Sequence, residues 1–190
     1  TSGTLATTIT FVPCFKSCYF NQLEKGRNIF KWFDFCVSSV ALNLLVATQF
    51  GVGDLNSLIP VAGCSFGSAF LFYLYESVNT VQGVLIQPSF KSPLVFSVMV
   101  WFFIWPTFIL SAVLSDNTNR FDFGQFPAWM YGTASCALLY SALLWLNELL
   151  YFSGCGPWGR RGYEYVEKSH NFISFVTKST VAWLTYAFDV

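Results

Sequence analysis

NIFKWFDFCVSSVALNLLVATQF, residues 28–50, is the stretch on which the fold turns. Its 23 residues carry two charges, Lys31 and Asp34, both near its start. A helix of that length rises about 34 Å, enough to cross the ~30 Å hydrocarbon core of a bilayer. Backbone polar groups that face lipid must be bonded within their own segment, so the stretch is expected to be a transmembrane helix.

Four more apolar stretches of spanning length follow, at 55–75, 93–114, 127–152 and 163–188. Short connections rich in Gly, Pro, Asn and Asp separate them: GVGDLN, PSFKSP, SDNTNRFDFG and SGCGPWGRRG. Ahead of them, TLATTITFVPCF is apolar but too short to span, and reads as the tail of a truncated helix. The chain opens on Thr1 rather than a methionine, which also suggests truncation. Composition agrees with a membrane class: 11% of residues are charged, against about a quarter in soluble domains. A net charge of zero with no basic run excludes nucleic acid as a partner. The expectation is an all-α, polytopic transmembrane bundle forming a single domain over 1–190, with five full helices, part of a sixth, and strands essentially excluded.

Loop charges orient the bundle. With alternating spans, one side holds Lys16, Lys25, Arg27, Lys31, Lys91, Arg160, Arg161 and Lys168. The other has Arg120 beside Asp54, Asp116, Asp122 and Asp189. The positive-inside rule puts the first side in the cytoplasm and the C-terminus outside.

Lys178 fits neither side. In ISFVTKSTVAW, residues 173–183, it has no Asp, Glu, Lys or Arg within eight positions in either direction. It lies about 22 Å into the last helix, while Asp34 lies about 17 Å from Leu23, where a cytoplasmic extension of the first span could start. The two helices run in the same direction, so amine and carboxylate match in depth. Ionisable residues inside a membrane are costly and usually functional, and each needs a named partner. The plain alternative is a salt bridge that locks two helices. Snorkelling to the interface suits Lys31, near its helix start, better than Lys178. A buried lysine also has a chemistry of its own. Its neutral amine condenses with an aldehyde to a Schiff base, and a nearby carboxylate serves the reprotonated imine as counterion. A long apolar aldehyde needs an aromatic slot, for which Trp101, Trp105, Tyr140 and Trp183 are candidates.

KWFDF at 31–35, LNELLYF at 146–152 and EKSHNFISFVTKSTVAW at 167–183 resemble the heliorhodopsins. These are seven-helix retinal proteins with an inverted orientation, N-terminus inside, and the loop charges independently give the same orientation. The resemblance covers the whole chain, from the end of the family's second helix through its seventh. It implies a light-sensing photoreceptor, not an enzyme, in which Lys178 carries all-trans retinal as a protonated Schiff base and Asp34 is the counterion. Ser174, one turn before Lys178 on the same face, matches the family, where other microbial rhodopsins generally have an aspartate. Ser38, Trp105, Tyr140 and Leu144 complete the expected binding set.

Three positions depart from the family's pattern. Asp34 stands where glutamate is usual, and Lys31 where arginine is usual. A histidine expected near Ala6–Thr8 is replaced by ATT.

Pumping would need an outward donor near Leu45, which cannot carry a proton. Glu167 and His170, three apart on one helix face, are proton-path candidates toward the cytoplasm, with a solvated helix start as the plain reading. They carry the alternative of a light-gated proton channel or transporter. A further alternative is a non-photoactive scaffold with a merely structural Lys178–Asp34 pair. Glu76 and Glu148, at cytoplasmic helix ends, are expected to face water. Cys14 and Cys18 share a helix face, but no second pair or nearby histidine completes a metal site. Gly63, Ser65, Gly67 and Ser68 form a small-residue surface for internal packing or for a homodimer. The partners expected are therefore the lipid bilayer, a possible second copy, and a signalling protein of unknown identity.

Overall fold

The structure, a computed structural model, describes residues 13–25, 27–81, 84–85, 92–106, 128–153 and 162–188. Its helices are α1 (Pro13–Glu24), α2 (Ile29–Gln49), α3 (Leu55–Asn79), α4 (Ser92–Phe102), α5 (Ala128–Phe152) and α6 (Tyr163–Phe188). The spans expected at 28–50, 55–75, 127–152 and 163–188 correspond to α2, α3, α5 and α6. The one expected at 93–114 is described as an apolar helix over Pro93–Pro106. Residues 1–12, with the truncated-helix reading and Ala6–Thr8, lie outside the described residues, as do Arg120, Asp116, Asp122, Arg160, Arg161, Lys91 and Asp189.

Three described helices are long and apolar enough to cross a membrane by length and composition: Ile29–Gln49, Leu55–Asn79 and Trp129–Phe152. The 26-residue α6 is longer than any of them but carries Glu164, Glu167, Lys168 and Lys178, which lower its hydropathy. The described residues are almost wholly helical, with strands essentially absent as expected, apart from one short pair. Thr80–Val81 and Val84–Leu85 form a two-residue antiparallel pair, β1 and β2. It follows the end of α3, beyond the apolar span, where backbone groups need not be bonded within one helix.

Local chemistry sets the helix ends. Asn28 is extended and caps α2, its side chain accepting from Phe30 N–H at 3.0 Å and Lys31 N–H at 3.3 Å. After α2 the chain turns through Gly51 at φ 83°, a left-handed conformation natural to glycine. There Gly51 N–H donates to Thr48 O and Val52 N–H to Ala47 O, both at 3.0 Å. Asp54 accepts from Ser57 N–H at 2.8 Å at the start of α3, and hydrogen bonding from Ser57, its side chain first and then its N–H, holds this exposed carboxyl below the usual range.

α3 packs against α2 and α4, α6 pairs with α5, and contact between α2 and α5 joins the two groups. The bundle has a basic end, where α2 and α6 begin and α3 and α5 finish, and an opposite end. Polar bonds stitch the helices internally. Asn43 Nδ2 donates to Ser65 Oγ at 2.9 Å, linking α2 to α3. Ser68 Oγ donates to Ser97 O at 3.0 Å, and Ser97 Oγ to Ser68 O at 2.9 Å, linking α3 to α4. Ser65 and Ser68 of the small-residue surface therefore serve internal packing. Gly63 on the same helix is exposed. Apolar layers fill the rest: Val46, Val61 and Ile104 toward the opposite end, then Trp32, Phe35, Phe72 and Leu144, then Tyr75, Phe152 and Val166 at the basic end.

Asn28 also donates to Glu167 at 2.8 Å, so it serves two helices at once. Asn28→Ala is expected to cost about 1 kcal/mol through the cap alone. Asn28→Asp keeps the capping acceptor but sets a second carboxylate against Glu167, and is expected to be less stable than Asn28→Ala at neutral pH. Thermal unfolding in detergent micelles ranks the three proteins. An Asp variant as stable as the parent would show that the Glu167 bond contributes nothing.

Candidate functional site

α2 and α6 start at the same end, so a residue near the start of one and a residue deep in the other need only match in height. Lys178 Nζ lies 2.9 Å from Asp34 Oδ2, a charge-assisted hydrogen bond. The Asp34 side chain is 8% exposed and that of Lys178 is 19% exposed, so the amine is reachable while the carboxylate is buried. A single accessible amine beside one carboxylate fits the covalent attachment of an aldehyde.

Positions 178, 174 and 170 follow one another at four-residue spacing and share a face of α6. Ser174 is fully buried and accepts the Tyr140 O–H at 3.3 Å. His170 is fully buried as well. Its ring meets Trp32 edge-on at 6.2 Å and Phe35 at 6.3 Å, and neither ring nitrogen has a hydrogen-bond partner among the described residues.

Below this column lies a second charged centre. Lys31 Nζ, from the first turn of α2, is 2.8 Å from Glu148 Oε1 of α5 and 3.3 Å from Glu76 Oε2 of α3. All three side chains are 1% exposed. Glu76 also accepts the Tyr163 hydroxyl of α6. Lys31 Nζ lies 4.6 Å from the centre of the Trp32 ring and 5.0 Å from that of Tyr163, close enough for cation–π attraction.

These contacts correct three expectations. Lys31 does not snorkel to the interface, and Glu76 and Glu148 do not face water. An ion in the bundle interior is tolerable only when paired, and the three pair with one another. Nor is the start of α6 solvated at Glu167 and His170, which are 7% and 0% exposed. Glu167 accepts from the Tyr19 hydroxyl and from Asn28 Nδ2, and no hydrogen bond joins it to His170 among the described residues.

The other expected pocket residues divide by height. The Tyr140–Ser174 and Asn147–Val166 bonds set the antiparallel register of α5 and α6, and bring Ala137 to the level of Lys178. Trp105 packs on the cluster that contains Ala137 and Trp101, and is thus at the right height for a wall. Ser38 is half-buried one turn from Asp34 toward the opposite end. Leu144 packs with Trp32, Phe35 and Phe72, two turns nearer the basic end, at the level of His170. Trp183 is 70% exposed on the outer surface of α6 and walls no interior slot.

Sequence reasoning missed the Lys31–Glu76–Glu148 centre. The signal was nonetheless present, because Glu76 and Glu148 are the lone acidic residues of α3 and α5.

The family model for heliorhodopsins matches residues 3–189. A comparison with curated proteins finds no match.

Removing the cation from a buried charge cluster leaves carboxylates uncompensated, at a cost of about 3–5 kcal/mol. Lys31→Met is expected to lose stability on that scale in denaturant unfolding. Adding Glu76→Gln and Glu148→Gln to the same protein should recover a large part of the loss, since no buried charge then remains. A Lys31→Met protein as stable as the parent would show that the cluster is solvated.

Proposed function

Because the chain belongs to the heliorhodopsin family, whose members are retinal-binding membrane photoreceptors, we propose that Lys178 carries all-trans retinal as a protonated Schiff base with Asp34 as its counterion. One observation supports this above all: the 2.9 Å contact between Lys178 Nζ and Asp34 Oδ2, on helices that start at the same end. Retinal supplies absorption of visible light and isomerisation of a double bond, which no side chain offers. The chain's residues do the rest. Lys178 provides the amine and Asp34 holds positive charge at that nitrogen. Ser174 and Tyr140 form a hydrogen-bonded wall one turn toward the basic end, and Trp105 and Ser38 are the proposed wall on the other side.

The protein we propose is a single-domain sensor of the seven-helix type, rather than an enzyme or a pump. Its basic end faces the cytoplasm and its C-terminus faces outward. Change at the Lys178–Asp34 pair reaches the cytoplasmic end through α6, whose first turns carry Tyr163 and Glu167 and so touch α1, α2 and α3. A signalling partner would read that end. Gly63, exposed and with nothing within 4 Å of its Cβ position, leaves one face of α3 open to a second copy of the chain.

Proton transport through Glu167 and His170 is the competing reading, and both residues are buried as a path requires. The outer half argues against it. From 35–49 in α2, 55–75 in α3, 128–147 in α5 and 179–188 in α6 no Asp, Glu, His, Lys or Arg occurs. Steady transport would have to cross that stretch with no carboxylate, imidazole, amine or guanidinium side chain.

Reconstitution with all-trans retinal is expected to give a visible absorption band that Lys178→Ala abolishes. Asp34→Asn should red-shift the band, because the carboxylate stabilises positive charge at the nitrogen that the excited state moves away. An unchanged spectrum would remove Asp34 from the counterion role. No steady photocurrent is expected from the parent, and one that follows the proton gradient would overturn the sensor reading.

A further inference from the structure

Near the end of α5 and the start of α6, the two antiparallel helices leave a groove of about 510 Å³ on the lipid-facing surface. Leu143, Leu146 and Leu150 of α5 wall it on one side and Phe172 of α6 on the other. Three of these four, Leu143, Leu146 and Phe172, are exposed. From Leu150 to Leu143 the groove follows α5 for about 10 Å. Leu150 lies in the last turn of α5, so the groove starts at the basic end and runs toward the middle of the membrane. Asn147 also lines it, and its bond to Val166 O at 3.1 Å holds the two walls in register.

The end of the groove nearest the basic face is charged. Lys168 and Ser169 line it there. Side chains on a helix lean toward its N-terminus, so the Lys168 stem reaches back toward the start of α6. Its Nζ lies 2.6 Å from Glu164 Oε1, and the two side chains are 72% and 76% exposed. An exposed i,i+4 pair is weak, so Glu164 holds Lys168 loosely and a stronger anion can replace it. The connection between the helices, residues 153–162, carries Arg160 and Arg161 and no acidic residue. Glu167 is buried against Tyr19 and Asn28, on the other side of α6. Arg160, Arg161 and Lys168 thus outnumber Glu164, the exposed acid of this stretch.

We propose that the groove binds one anionic phospholipid, with an acyl chain along Leu150, Leu146 and Leu143 against Phe172 and the phosphate on Lys168. A cation at headgroup level, set above an apolar slot that points into hydrocarbon, matches a molecule charged at one end and apolar along the other. Basic pockets between transmembrane helices recognise anionic headgroups in this way. Ser169 adds a hydroxyl that donates to a phosphate or ester oxygen. A neutral lipid would fill the slot but draw nothing from Lys168. A second copy related by a two-fold axis along the membrane normal would set Lys168 and both arginines against their own counterparts. The bound lipid bridges α5 and α6, and its binding does not depend on retinal.

Native mass spectrometry tests this on the full chain, released from micelles doped with dioleoyl phosphatidylglycerol or dioleoyl phosphatidylcholine at equal mole fraction. One phosphatidylglycerol should be retained about fivefold more than phosphatidylcholine, the scale of one cation at an anionic surface. Lys168→Gln should remove that preference, and Glu164→Gln, which deletes the competing carboxylate, should raise it. Lys25→Gln removes another exposed cation at the same end and should change nothing. Leu146→Trp, which fills the groove and leaves Lys168 in place, should lower phosphatidylglycerol retention. Equal retention of the two lipids, or a preference that survives Lys168→Gln, would mean non-selective annular lipid only and overturn the inference. An equal loss in Lys25→Gln would do the same, because net charge alone would then explain binding. Glycerophosphoglycerol, the headgroup without its chains, should not compete at the lipid's concentration. If it does, the site holds phosphate without using the groove, and the lipid assignment fails. A folded Leu146→Trp protein that retains lipid like the parent also overturns it. If Leu146→Trp does not fold, the exposed Lys168→Gln and Glu164→Gln variants decide.

Discussion

A charge inside a bundle of apolar helices has to find its opposite there, and most of this structure is arranged around that constraint. Two lysines lie in the interior, and each has its carboxylates. Lys178 joins α6 to Asp34 of α2. Lys31, three residues earlier on α2, joins Glu148 of α5 and Glu76 of α3. α2 is therefore the hub through which α3, α5 and α6 are held in register. The Asn28 cap adds a further link, since the side chain that caps the start of α2 also binds Glu167. Breaking one of these pairs by removing a single partner costs more than the pair itself contributes, because the remaining charge is left stranded.

The Lys31 position shows how side-chain shape decides what such a hub can do. A guanidinium in the same place would present a planar fork suited to gripping one carboxylate at two points. The ammonium of Lys31 is a compact charge with three donors pointing in different directions, and it divides between carboxylates from two helices at 2.8 and 3.3 Å. The departure from the family's usual arginine thus has a local counterpart in this chain: two lone glutamates converge on the lysine. Asp34, one methylene shorter than the usual glutamate, still reaches Lys178, because the two helices bring the groups to the same height.

Much of the fold and the centre of the site were legible in the sequence, because both rest on counting along helices. Four spans match helices within a few residues, and matching Lys178 with Asp34 required only their depths and the shared direction of α2 and α6. What was not legible depended on where helices end and on partners across space. The span read as ending at residue 75 is a helix that continues to Asn79, which moves Glu76 from the helix end to the interior. Glu148 is likewise a full turn inside α5. A carboxylate near a helix end defaults to water unless its partner is known, and Lys31 had been assigned to the interface. Trp183 failed for a related reason. Abundant aromatics carry no direction in the sequence, and only packing tells an interior ring from one that faces lipid.

The placement of ionisable groups gives the molecule a polarity that its apolar composition hides. From the Lys178–Asp34 pair toward the basic end, buried polar groups recur at nearly every turn: Ser174 with Tyr140, then His170, then Lys31 with Glu76, Glu148 and Tyr163, and Glu167 with Asn28 and Tyr19. Toward the opposite end the buried polar side-chain contacts are neutral ones such as Asn43 with Ser65. A charge displaced from Lys178 therefore has stabilising partners in one direction only. Moving charge toward the basic end changes groups that bind α1, α2, α3, α5 and α6 together, whereas moving it outward would strand it among Leu, Val and Trp side chains. This one-sided placement of ionisable groups is the ground on which we propose a sensor rather than a conduit.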